Sequence, residues 1–242
     1  MQKIAIFDID GTFFRWQLYH ELIFSLKDKG LFSPQVSANL EQALFDWKAL
    51  KATWEDYEGK VVKVAETELN KINSQQLRHI AIETVNNKGH RVYNYTLNLA
   101  DKLKHDGYYL LAISGSFQEI VEVFSAKYGF NDHIGMIAKK DHNGNFTKGY
   151  DRPIAGHKAE LLQAYLNNHP NITLDGSYGV GDSASDIDIL KMVANPIAFN
   201  PNEPLLKSAK EHHWPIVIER KNIAYTLINN NDDYILNNYE LY

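Results

Sequence analysis

Two aspartates one residue apart, Asp8 and Asp10, close an apolar run, Lys3-Ile4-Ala5-Ile6-Phe7, near the start of the 242-residue chain. Such a run reads as a buried strand. Gly11 follows and lets the chain turn. Ligands of open α/β sheets gather at the carboxyl ends of strands. Two carboxylates at such a point indicate a metal site, a nucleophile or both. Further reactive side chains stand at other element ends. Ser114, in Ser114-Gly115-Ser116, follows the apolar stretch Tyr108–Ile113. Lys158 precedes an amphipathic helix. Asp182 and Asp186 follow the strand-like Tyr178–Gly181.

The elements that must position these groups alternate between strand and helix. After Gly89 the pattern predicts a helix at about 91–105, a strand at 108–113, a helix at about 117–128 and a hairpin at 134–148 around Asn143-Gly144. A helix from about His157, the strand at 178–181, and short strands at 197–199 and 215–218 with a helix between them complete it. That alternation predicts an α/β fold with a doubly wound parallel sheet. Residues 15–88 break the rhythm. Leu18, Leu22, Ile23 and Leu26 keep helical spacing up to Gly30, and Pro34 starts a second helix with the stripe Leu40, Ala43, Leu44, Trp47 and Leu50. Thr53 and Asp56 resemble a capping box, and Ser74 opens a fourth helix. The expected organisation is a core of residues 1–14 and 89–242 with a small helical cap inserted at 15–88. The asparagine-rich tail is expected to pack loosely or fray.

Composition narrows the function classes. With 25 basic and 30 acidic side chains the net charge is −5, and no basic run tracks a phosphate backbone, so nucleic-acid binding is not expected. The absence of cysteine removes disulfides, thiolate metal sites and thiol catalysis. No stretch reaches the ~20 apolar residues of a membrane span and no signal peptide is recognised, so a cytoplasmic protein is expected. The histidines show no ligand spacing; His212-His213 reads as a helix end, and Asp188 as an exposed helix acid.

Four motifs in order, Asp8-Ile9-Asp10-Gly11-Thr12, Ser114, Lys158 and Gly181-Asp182-Ser183-Ala184-Ser185-Asp186, resemble those of the haloacid dehalogenase-like hydrolases, and most closely the phosphoserine-phosphatase-like branch. The resemblance implies a Rossmann-like core and a phosphatase acting on a small phosphorylated metabolite through an aspartyl-phosphate. It implies Asp8 as nucleophile and Asp10 as general acid/base. Ser114, the Gly115 amide and Lys158 would hold the phosphoryl group. Mg²⁺ prefers oxygen ligands, which suits Asp8, Asp182 and the Asp10 backbone carbonyl. Asp186 would support Lys158 or a metal-bound water. Phe13–Gln17 would face the pocket, with Arg15 and Gln17 as specificity candidates. Gln17 stands where true phosphoserine phosphatases carry a glutamate, and Ser185 where the branch carries an asparagine.

Blander readings accompany these. Ser116 can be a helix N-cap, Lys158 a solvated helix lysine, and Arg15 a surface ion pair; Lys148 is a rival to Lys158. Trp47, Trp54 and Tyr57 read as cap core in preference to a substrate cage. A phosphotransferase using the same aspartyl-phosphate and a catalytically silent phospholigand-binding module are the alternative functions. Oligomeric state is not legible.

Overall fold

A computed structural model of the chain describes residues 1–231 and 233–242. Its sheet has nine strands: β1 (Gln2–Phe7), β2 (Tyr109–Phe117), β3 (Asp132–Lys140), β4 (Phe146–Arg152), β5 (Ile172–Gly181), β6 (Asn195–Phe199), β7 (Ile216–Arg220), β8 (Ile223–Asn230) and β9 (Asp233–Leu241). Their order is β4-β3-β2-β1-β5-β6-β7-β8-β9. The six strands from β3 to β7 in that order pair in parallel; β4, β8 and β9 are antiparallel additions at the edges. The mixed α/β fold with a largely parallel sheet is the one expected.

Chain order reverses between β1 and β5. From β1 the chain builds outward through β2 and β3, then returns to lay β5 on the other side. Such a switch point leaves a crevice at the strands' carboxyl ends. Phe7 pairs with Ala112 and Val180. Asp8, the next residue, therefore emerges into that crevice beside the ends of β2 and β5.

Four helices precede β2 in the first crossover: α1 (Leu18–Asp28), α2 (Pro34–Lys48), α3 (Trp54–Glu68) and α4 (Ser74–Lys88), followed by α5 (Asn94–His105). Local signals explain their starts. Ser33 caps α2 with Pro34 at the first helical position, and Thr53 and Asp56 form the expected capping box on α3. The cap of α4 is Asn73, boxed with Gln76; Ser74 is the first helical residue instead of the cap. Leu50 leaves its predicted stripe. The helix stops at Lys48, Leu50 takes a left-handed φ of 57° and is 92% exposed.

The remaining crossovers use α6 (Gln118–Lys127), α7 (Lys158–Asn168), α8 (Ile187–Met192) and α9 (Glu203–Glu211). Phe7, Phe13, Phe124 and Phe130 meet edge to face under the crevice, at centroid distances of 5.3–6.0 Å. Burying each such ring stabilises the fold by roughly 1.5–3 kcal/mol. The tail does not fray. β8 and β9 pair in register from Ile223↔Leu241 to Asn230↔Asp233, with a shift between Thr226 and Leu227. Ladder hydrogen bonding to β8 orders the strand, although β9 stays largely exposed, with Ile235, Leu236, Tyr239 and Leu241 open to solvent.

Candidate active site

β1 delivers Asp8, whose N–H donates to Val180 O (2.9 Å). The chain then turns tightly, and the N–H groups of Thr12, Phe13 and Phe14 all donate to Ile9 O. Gly11 permits this with a φ of 82°. It also stands so close to Asp182 that a Cβ would overlap Oδ2. The glycine therefore brings the ends of β1 and β5 together as well as making the turn.

Lys158, the first residue of α7, is 5% exposed. Its Nζ donates to Asp8 Oδ1 (2.7 Å) and Asp186 Oδ1 (2.6 Å). The solvated reading of this lysine is overturned: its aliphatic stem is buried and its ammonium meets two carboxylates. Lys148, the rival, lies on exposed β4. Asp186 also accepts from the Asp182 and Ser183 N–H groups and the Ser183 hydroxyl through Oδ2. One carboxylate thus shapes the loop after β5 and anchors the lysine. Ser185 is exposed and bonds Ser183 at 2.9 Å.

Carboxylate oxygens of Asp8, Asp182 and Asp186 all lie within 4.8 Å of one another. Thr12 Oγ1 spans Asp8 (3.3 Å) and Asp182 (3.1 Å). Burial pushes the Asp8 carboxyl well above its usual range; Lys158 opposes this, and Asp186, Asp182 and Asp10 add to the rise. Burial, then Asp186, lifts Asp182 to about 7. The Lys158 ammonium is disfavoured by burial but held charged by Asp186 and Asp8, which raise its pKa. Three crowded carboxylates facing one lysine form an all-oxygen donor set whose mutual repulsion a hard divalent cation relieves.

The Asp10 carboxylate is turned elsewhere. Oδ2 accepts from Ser114 (2.5 Å) and Ser116 (2.8 Å), and Oδ1 from the Leu18 N–H at the start of α1. Burial raises its pKa, against the two hydroxyls, the amide and Lys158. The Asp10 carboxylate is not one of the three that cluster.

Ser116 is a residue the sequence reading missed. The N-terminal boundary residue of α6 is Phe117, and Ser116 caps nothing. The strand runs on to Phe117, so Ser114 and Ser116, two apart, share one face. That period-two relation was the available signal. Gly115, between them, is exposed.

Two specificity expectations change. Arg15 pairs with the buried Glu219 of β7, donates to Val92 O (2.7 Å) and lies over the Tyr93 ring. Glu219 also accepts from the Asn94 and Tyr95 N–H groups at the start of α5. Arg15 is therefore an internal clamp, and its charge is already matched. Phe13 and Phe14 are fully buried and line no pocket. Gln17 is half-buried before α1, without a capping bond.

The sequence profile of the haloacid dehalogenase-like hydrolases matches residues 5–191. The chain belongs to that family. It is 23% identical over 227 residues to a histidinol-phosphatase of Neisseria meningitidis serogroup C (strain 8013), covering 90% of this chain and 99% of that protein. Among solved structures it resembles a Bordetella pertussis Tohama I protein of unknown function, at a TM-score of 0.70 and 15% identity over 90% of this chain and 99% of that one. A phospho-aspartyl intermediate analogue of phosphoserine phosphatase matches at a TM-score of 0.57 and 20% identity, covering 91% and 94%. These structural likenesses concern the fold.

Proposed function

We propose that the chain is a Mg²⁺-dependent phosphatase that hydrolyses a small phosphomonoester through an aspartyl-phosphate on Asp8. The observation carrying this reading is the setting of the Asp8 carboxylate, with the Lys158 ammonium 2.7 Å away and the Asp182 and Asp186 carboxylates beside it. A nucleophilic carboxylate and a phosphate repel each other, and this site places positive charge where they must meet. A divalent ion bound by Asp8, Asp182 and the Asp10 carbonyl supplies further charge neutralisation.

An Asp8 oxygen attacks phosphorus, and the bond from phosphorus to the leaving oxygen breaks. Asp10 gives its proton to that oxygen. In the second step Asp10 takes a proton from water, which attacks the aspartyl-phosphate and releases phosphate and the free Asp8 carboxylate. A raised Asp10 pKa suits a group that must hold a proton in one step and accept one in the next. Ser114 and Ser116 fix its orientation. Lys158 holds phosphoryl oxygens, and Asp186 holds Lys158.

Residues 15–88 act in this proposal as a cap that closes over residues 1–14 and 89–242 and selects the leaving group. The histidinol-phosphatase, similar over nearly its whole length, supports a phosphomonoester substrate. No helix among the described residues is long and apolar enough to cross a membrane, compatible with the proposed cytoplasmic setting.

The test is Asp8→Asn. It should abolish phosphate release from p-nitrophenyl phosphate while the circular dichroism spectrum is kept, and mass spectrometry of quenched wild-type turnover should find a phosphorylated Asp8. Ordinary activity in the variant would end the assignment. Appearance of phosphate on an added alcohol, in place of free phosphate, would select the phosphotransferase reading.

A further inference from the structure

The two edges of the sheet are finished differently. On one side β4 carries Lys148, Asp151 and Arg152, and the start of α4 lies against its hairpin: Asn73 bridges Asn145, and the Ser74 N–H donates to Gly144 O (3.1 Å). Charged side chains and a covering element are two of the ways an edge is kept from pairing. β9 closes the other side with neither a basic residue nor a proline. Its nine residues span about 30 Å. Among the described residues no strand pairs with its outer edge.

The side chains along this edge sort by face. Ile223, Tyr225 and Leu227 of β8 share one face, and they pair with Leu241, Tyr239 and Leu236. The pairing skips Asn237, and that bulge puts Leu236 and Tyr239 on the same side although they are three apart. Tyr234 begins this face, and its hydroxyl bonds the Ala209 and Trp214 carbonyls at the end of α9 (2.9 and 2.8 Å). Both acids of β9 belong to the other face. Asp233 pairs with Asn230, and Glu240 pairs with Ala224 and accepts from the Tyr242 hydroxyl (2.9 Å). Leu236, Tyr239 and Leu241 are 53%, 55% and 68% exposed and Tyr225 is 38% exposed. Five of the nine large apolar side chains left exposed among the described residues stand on β8 and β9, so the exposed apolar surface is concentrated at this edge.

We propose that β9 pairs antiparallel with β9 of a second copy of this chain, joining two nine-stranded sheets across a two-fold axis. One strand meeting itself is an isologous contact, the kind that closes at a dimer. Opposed residues must point to the same side of the sheet. Setting Leu236 against Tyr239 across the bulge does this, and also sets Tyr234 against Leu241 and Glu240 against Ile235, with no like charges opposed. A slip of two residues would set Asp233 against Glu240, and parallel stacking would set each acid against itself; like charges directly opposite are unfavourable. The half-exposed side chains contribute a few hundred Å² from each copy before the backbone edge is counted, against roughly 800 Å² per partner for a standard interface. The dimer is therefore reversible, populated at micromolar concentrations. β9 lies five strands from β1 in the sheet, about 24 Å away, so association leaves the Asp8 crevice untouched. The two-fold reverses strand direction, so the two crevices open on opposite sides of the joined sheet.

The experiment is sedimentation equilibrium from sub-micromolar to tens of micromolar chain, with amide hydrogen exchange on the same samples. Wild type should approach twice the chain mass as concentration rises, and the β9 amides should exchange more slowly. The double variant Leu236→Lys with Tyr239→Lys puts like charges opposite each other twice across the two-fold. It should weaken association by about a hundredfold or more, since lost apolar burial and repulsion both count twice, while its circular dichroism spectrum stays that of wild type. Leu236→Lys with Tyr239→Glu faces opposite charges in the same register and should recover much of the association. A wild type that stays monomeric at every concentration, a dimer that the two lysines do not weaken, or an opposite-charge pair no better than the like-charge pair would overturn the proposal. Should the variants not fold, wild-type exchange decides alone: β9 amides that exchange equally fast at low and high concentration would overturn it.

Discussion

Ser116 Oγ donates a 2.8 Å hydrogen bond to Asp10 Oδ2, the same oxygen that Ser114 holds. Both hydroxyls stabilise the carboxylate form against the burial that raises its pKa. Ser116→Ala removes one donor, so the Asp10 pKa should rise further, by roughly a unit or less for one hydrogen bond. More Asp10 is then protonated at any given pH, and it is a poorer base for the second step. The acidic limb of the kcat profile should move to higher pH. A limb unmoved by the substitution would separate Asp10 from the proton transfer.

Lys158→Ala leaves the buried Asp8 and Asp186 without their shared cation. Breaking a buried pair from one side costs about 3–5 kcal/mol. Turnover should also fall by ~10²–10³, since a preorganised donor to the phosphoryl group is lost. Urea midpoints and kcat, measured on one preparation, check both. A stable variant with ordinary turnover would contradict the role of this lysine.

Stripping divalent ions with a chelator should silence the enzyme, and restoring Mg²⁺ should recover it. Added ion should also raise the melting temperature, because it binds the folded carboxylate cluster; saturation at a hundred times Kd is worth about 2.7 kcal/mol. Asp182→Asn should move both responses to higher ion concentration. Calorimetric titration of the ion into wild type and variant reads this without any turnover. Equal affinities would take Asp182 out of the ligand set.

His20 is 1% exposed among Trp16, Trp54 and Tyr57, and burial lowers its pKa to about 4. The unfolded chain binds this proton near pH 6.5 and the folded one does not. Its contribution is therefore whole above about pH 6.5 and is lost as pH falls towards 4, on the order of 3 kcal/mol. His20→Gln should flatten the stability profile in that window. An identical slope of urea midpoint against pH in both proteins would refute the assignment.

Sequence was most informative where chemistry and backbone geometry coincide. Asp8, Asp10, Lys158, Asp182 and Asp186 each follow a strand or open a helix, so one dimension already placed them at element ends, whereas Ser114 lies within β2. The Thr53–Asp56 box and Pro34 are likewise local devices. Longer-range relations were not legible. Arg15 finds Glu219 across 204 residues, and Phe13 and Phe14 turn into the core because other phenylalanines wait there. The asparagines of β9 gave no strand signal alone; pairing with β8 ordered them. Ser116 was lost to a boundary placed four residues early.

The helical excursion leaves and rejoins the core at adjacent points. Phe14 bridges Val92 in antiparallel fashion, and the Arg15 N–H donates to Arg91 O at 2.8 Å. Entrance and exit thus form a two-stranded neck, with the reacting aspartates on the core side of it. The neck does not insulate the chemistry from the helices beyond it: the Leu18 N–H at the start of α1 donates to Asp10 Oδ1, so any replacement for those helices would have to supply that donor again.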